Sequence, residues 1–161
     1  MSALTQGLSW TLVIAMGAMG GLYYAFSAFI MRSLAVLPGT AGPAAMRSIN
    51  ELIVRSTFMP FFVLTSLSAA GMALYGVIRW SGPSSGLMVA AGLVYLVGMF
   101  GVTAAGNVPL NDALASASST ELMSVWAGYL KPWVRYNSLR AVACLLASAL
   151  LAASSILDSG N

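Results

Sequence analysis

Residues 1–31, MSALTQGLSWTLVIAMGAMGGLYYAFSAFIM, contain no charged side chain, and Arg32 stands directly after them. A helix that crosses a bilayer needs about 20 largely apolar residues, within a range of roughly 17–25. Ser56–Ile78, Trp80–Asn111 and Ala141–Leu157 are free of charged side chains as well. Composition points the same way. The chain is 59% apolar and only 7% of its 161 residues are charged, too few to clothe a surface that faces water. The predicted fold is therefore all-α: an integral membrane four-helix bundle, one membrane domain over residues 1–161. Its spans fall at about 8–31, 56–78, 87–105 and 138–157.

The first span lacks a basic leader and is too long for a signal peptide, so it is expected to be retained. Gly17, Gly21 and Ala25 lie four apart, a stripe of small residues of the kind through which membrane helices pack. Tyr23, Tyr24, Phe26 and Phe29 gather toward its Arg32 end, as at an interface. In the first connection, Pro38-Gly39 and Gly42-Pro43 read as turns. Ala44–Arg55 then reads as a short interfacial helix, with Glu51 and Arg55 spaced for an ion pair. Pro60 is expected to kink the second span, and Ser81–Gly86 is a tight polar turn. Gly92, Gly98 and Gly101 suggest close contacts along the third span. Pro109 is expected to end that span in a turned loop at Gly106–Asp112. Ser119–Val134 reads as a second short helix with Ser119 as its cap, Glu121 in its first turn and a kink at Pro132.

Several function classes fall away. A net charge of +3 spread over loops is not the dense basic patch of a nucleic-acid binder, so no nucleic-acid partner is expected. Histidine is absent and Cys144, the lone cysteine, lies in an apolar run. Imidazole ligation, a histidine base, a disulfide and a thiolate cluster are thereby excluded. The expected partners are the lipid bilayer and whatever the bundle binds, with self-association into a homo-oligomer left open. The face holding the first and third connections carries Arg32, Arg47, Arg55, Lys131, Arg135 and, at its edge, Arg140; the other face carries only Arg79. The positive-inside rule then puts both connections in the cytoplasm and both termini outside, in a plasma membrane or bacterial inner membrane.

The polar residues share that asymmetry. Asn50, Glu51 and Arg55 come from the first connection. Asn107, Asn111, Asp112, Trp126, Trp133, Tyr136, Asn137 and Arg140 come from the third. Trp126, Trp133, Asn137 and Arg140 are separated by seven, four and three residues, one stripe of a continuous helix. An arginine entering a span costs roughly 2.5–3.5 kcal/mol at mid-bilayer unless it is paired or wet. Each residue also has a plain reading. Tryptophans anchor helices at interfaces, arginines snorkel to headgroups, and amides cap or bridge helices. Gathered on one face they make a pocket the better reading.

Asn-Val-Pro-Leu-Asn at 107–111, then Trp126 and Trp133, then Tyr-Asn-Ser-Leu-Arg at 136–140 resemble the anthrone oxygenase-like family of small four-helix membrane proteins. So does Met-Arg-Ser-Ile-Asn at 46–50 after an aromatic-rich first span. Tyr136 replaces the tryptophan often found there in the family and keeps the aromatic ring. The resemblance implies oxidation of a hydrophobic polycyclic aromatic anthrone by molecular oxygen, with no metal or flavin. An anthrone's ring-methylene protons are acidic, and its anion can reduce oxygen directly. Such chemistry needs a base, a cradle for the enolate oxygen and aromatic walls. Asp112 or Glu51 can supply the base, and Trp126 and Trp133 the walls. Arg140 with Asn107, Asn111 or Asn137 can supply the cradle; Asn50, Arg55 and Tyr136 complete the substrate-binding set. A non-catalytic protein that binds or carries a lipophilic molecule, or an assembly partner of another membrane protein, uses the same residues. A transporter fits less well, because the spans lack an ionisable relay and paired broken helices.

Overall fold

In a computed structural model of the chain, residues 2–159 are described. Among them there is no strand. Five helices follow in order: α1 (Ala3–Ala35), α2 (Ala41–Ile53), α3 (Phe58–Ile78), α4 (Pro83–Ser116) and α5 (Leu122–Ser159). All but α2 are long and apolar enough to cross a membrane. Large apolar side chains such as Ile14, Leu64, Val97 and Val142 point outward from the bundle, where only lipid makes them inexpensive. The protein is an integral membrane helical bundle.

Helix lengths position the site. α1, α4 and α5 have 33, 34 and 38 residues, about 50–57 Å at 1.5 Å per residue, against a hydrocarbon core of about 30 Å. α3, with 21 residues, does little more than span. The three long helices overshoot on the side of the first and third connections, where α2 joins them. Two hydrophobic clusters are therefore stacked along the bundle. The inner one includes Met16, Met19, Tyr95, Met99 and Cys144. The outer one includes Met31, Met46, Leu114, Trp126, Tyr129 and Trp133. Around the bundle α5 packs on α1 and α4, α4 on α3, and α3 closes on α1 along the slightest seam.

Several local expectations are corrected. Pro60 produces no kink, because it falls in the first turn of α3, where its missing N–H has no partner to lose. Pro109 does not end the third span. α4 widens into π-helical stretches at Leu96–Gly101 and Thr103–Asn107 and resumes as α-helix at Val108–Ser116. The wide turns shift the hydrogen-bond register, so Pro109 again sits in a first turn. Pro132 lies within α5, which runs through it without a break.

Ser118 rather than Ser119 caps α5. Its O–H and N–H both donate to Glu121 Oε2, at 2.5 and 3.3 Å, and its carbonyl accepts from Leu122 N. Those donors hold the Glu121 carboxyl below its usual range. α2 ends at Ile53, so Arg55 is past its last turn and the four-residue pairing geometry with Glu51 does not apply.

The small-residue contacts also shift. A Cβ on Gly20 would meet Leu145 at 2.9 Å, whereas Gly21 faces open space and Gly17 meets only Ser148 at 3.7 Å. The buried row Met16, Met19, Tyr23 sets that rotation of α1. Gly92 lies against Ala73 and Gly98 against Ala143, but Gly101 approaches no neighbouring helix.

Candidate functional site

Arg140 projects from α5 into the junction between the two clusters, where it is 7% exposed. Asn137, one turn earlier on the same face, is 0% exposed. Asn137 Oδ1 accepts from Arg140 Nη2 at 2.6 Å, while its amide nitrogen donates to the Tyr23 carbonyl at 2.6 Å and to Ser27 Oγ at 2.7 Å. One amide thus ties α5 to α1 and holds the guanidinium. Thr103, in the π-helical part of α4, accepts from Arg140 Nη1 at 3.2 Å and gives its own proton to the Met99 carbonyl at 2.7 Å. The guanidinium carbon stands 4.2 Å from the centre of the Tyr23 ring and 5.9 Å from that of Trp133. The hydrogen-bond partners are all neutral, and Arg140 Nε is buried with no acceptor.

A cavity of about 540 Å³ opens from this group, within the range of small-molecule sites. Its walls are mostly apolar, from Tyr23, Phe26, Phe58, Phe62, Phe100 and Trp133, with Phe62 stacked on Phe100 at 5.8 Å. Asn50 from α2 lines it too, with a buried amide nitrogen that has no partner. Arg140 and Asn50, two residues that line this aromatic chamber, thus each carry a buried N–H donor without a hydrogen-bond partner, and such a donor carries a penalty of about 1–3 kcal/mol. Glu51 and Asp112 also line the cavity, but both are exposed and so lie at its open side.

Of the residues singled out from the sequence, Asn50, Glu51, Asn111, Asp112, Trp133, Asn137 and Arg140 line this one cavity. The others do not. Asn111 Oδ1 accepts from Tyr129 O–H at 2.8 Å and from Trp133 Nε1 at 2.9 Å, so it fixes the orientation of a wall. Trp126 is buried in the outer cluster, stacked on Tyr129. Asn107 is buried behind the wall, donating to the Trp133 carbonyl at 3.3 Å. Tyr136 lies against Gly106, where a Cβ would come within 2.7 Å of its ring. Arg55 is exposed and outside the cavity lining. Arg47, counted only for topology, lines the cavity as well, and it donates to the carbonyls of Leu114 and Ala117 and so caps the end of α4.

Tyr23, Thr103, Ser27 and the phenylalanines were missed. The row Met16, Met19, Tyr23, at helical spacing, marks the buried face of α1 and singles out Tyr23 among its aromatics. Thr103 carries no comparable signal. Among the described residues, no group of three His, Cys, Asp or Glu is placed to hold a metal.

A family model described as anthrone oxygenase matches residues 51–150, which take in Asp112, Trp133, Asn137 and Arg140. No curated protein and no solved structure matches the chain.

Proposed function

The chain belongs to the anthrone oxygenase family, and on that premise we propose that its cavity oxidises a flat, hydrophobic polycyclic aromatic substrate with molecular oxygen and no cofactor. One observation carries the reading: a buried guanidinium whose hydrogen-bond partners are all neutral lines an aromatic chamber. A buried cation with no paired anion is costly, so an anion that forms there is stabilised.

An anthrone places its ketone oxygen toward Arg140 and Asn50, with its rings between Trp133 and the phenylalanines. Its ring methylene, flanked by two arenes, loses a proton, and the charge moves onto the ketone oxygen. Asp112 at the open side takes that proton, with Glu51 beside the same cavity. The carbanion then delivers electrons to oxygen, and a C–O bond forms at the former methylene. Loss of water from the hydroperoxide leaves the quinone carbonyl; one CH2 and one O2 become one C=O and one H2O. Asn137 acts as a positioning residue, because it touches Arg140 and anchors it to α1.

The test is oxygen uptake and quinone absorbance with purified, chelator-treated protein and an anthrone, expected in one-to-one stoichiometry and lost in Arg140→Ala. Saturable binding without oxygen uptake would favour the carrier reading, which the open side of the cavity also suits. No binding would remove both.

A further inference from the structure

A second groove runs between α1 and α5, separate from the oxygenase cavity. Ser27 and Met31 of α1 and Leu130 and Val134 of α5 form its walls, Arg32 and Lys131 stand in it, and it encloses about 310 Å³. None of the described residues lining it is a carboxylate. Arg32 is the first charge after the uncharged residues 1–31, which sets the outer part of the groove at the depth of lipid headgroups. The helices run antiparallel here, since Ser148 bonds the Val13 carbonyl whereas Asn137 and Ser138 bond Ser27 Oγ. Ser27 and Val134 therefore lie toward the membrane interior, with the cations nearer its surface.

We propose that this groove binds an anionic phospholipid, its phosphodiester between Arg32 and Lys131 and its glycerol and upper acyl chain along the apolar inner walls. Two cations from different helices repel unless an anion lies between them, and the groove offers none of its own. A soluble phosphate would satisfy the charges but leave the inner walls unfilled. The apolar side chains of Met31 and Val134 lie deeper than Arg32 and Lys131, the order of acyl chain and headgroup in a lipid, with Ala35 and Leu130 level with the cations. It does not depend on the oxygenase reading.

The measurement is binding of phosphatidylglycerol to the purified full-length protein in phosphatidylcholine nanodiscs, followed by native mass spectrometry after release. Two cations at about 1 kcal/mol each correspond to a roughly 30-fold preference over phosphatidylcholine. Arg32→Gln with Lys131→Gln should abolish it. Arg32→Lys with Lys131→Arg should retain most of it, and Arg79→Gln on the opposite face should leave it unchanged. Inorganic phosphate at the same concentration should not compete. Equal retention of the two lipids, an unaffected double glutamine variant, or full competition by inorganic phosphate would each overturn the proposal. Should the double variant fail to fold, Lys131→Gln alone decides it: about a fivefold loss supports the site and none refutes it.

Discussion

Arg140→Lys separates a substrate-holding arginine from one that merely reaches for headgroups. In the folded protein the guanidinium makes two hydrogen bonds and faces the Tyr23 ring, while its Nε is buried without an acceptor. A lysine ammonium is a single point and cannot serve these directions together. Asn137 Oδ1 has Arg140 as its hydrogen-bond donor, whereas Thr103 keeps its bond to the Met99 carbonyl whatever happens to residue 140. The ammonium should therefore settle on Asn137, forfeiting the contact with Thr103 and the donor offered to a ligand. A hydrogen bond to a charged group contributes about 1.5–3 kcal/mol. One such loss in the transition state lowers kcat/KM by roughly 10- to 150-fold. A loss of similar size is expected in the affinity for a non-reacting anthrone analogue, while the helical signal in detergent is kept. The assay is quinone formation together with analogue binding followed through Trp133 fluorescence. Wild-type turnover and affinity within twofold would refute the pocket, since snorkelling survives the exchange.

Asn137→Ala removes the bonds to Tyr23, Ser27 and Arg140. Arg140 Nη2 is left unpaired, whereas the Tyr23 carbonyl keeps the Phe26 N–H and Ser27 Oγ keeps Ser138, so unfolding stability should fall by about 1–3 kcal/mol. Combined with Arg140→Lys the effects should be less than additive, and strict additivity would disprove the shared network. Gly92→Ala should cost about 1–3 kcal/mol in detergent melting, since its Cβ would lie 2.6 Å from Ala73 and 2.7 Å from the Ala69 carbonyl. Gly21→Ala, facing open space, should be neutral or slightly stabilising; equal costs at the two sites would contradict the helix packing. A reporter fused to the C-terminus should be active only outside the cytoplasm, on the six-to-one basic bias. Cytoplasmic activity would mean that the arginines serve sites rather than topology. The Glu121 carboxyl is depressed by Ser118, so its contribution to stability is complete above the unfolded carboxylate pKa of about 4.3 and fades as pH falls through the lower folded value. Glu121→Gln should flatten that acid limb of a melting-temperature profile; an unchanged limb would assign it to another group.

How much of this was legible in the sequence follows from the range of each interaction. Insertion into a bilayer depends on runs of neighbouring side chains, so the charge-free stretches disclosed the spans directly. Helix rotation depends on which row is heaviest. Gly17 and Gly21 looked like a packing stripe, yet Met16, Met19 and Tyr23 bury more surface and turn Gly20 inward instead. Pro109 was misread because its local effect is to break a helix, and its remedy, the π-helical stretches before it, is a matter of register over ten residues. The pairing of Asn137 with Arg140 was readable because one turn of one helix holds both. Tyr23 and Thr103, their partners from α1 and α4, were not, because only the assembled bundle brings those helices together. Trp126 shows the complementary error. It shares the α5 stripe with Arg140 but lies fourteen residues away, about 21 Å along the axis at 1.5 Å per residue. Periodicity reports the face of a helix and says nothing about depth. On α5, depth divides Trp126 from Trp133, a member of the same outer cluster that also walls the cavity.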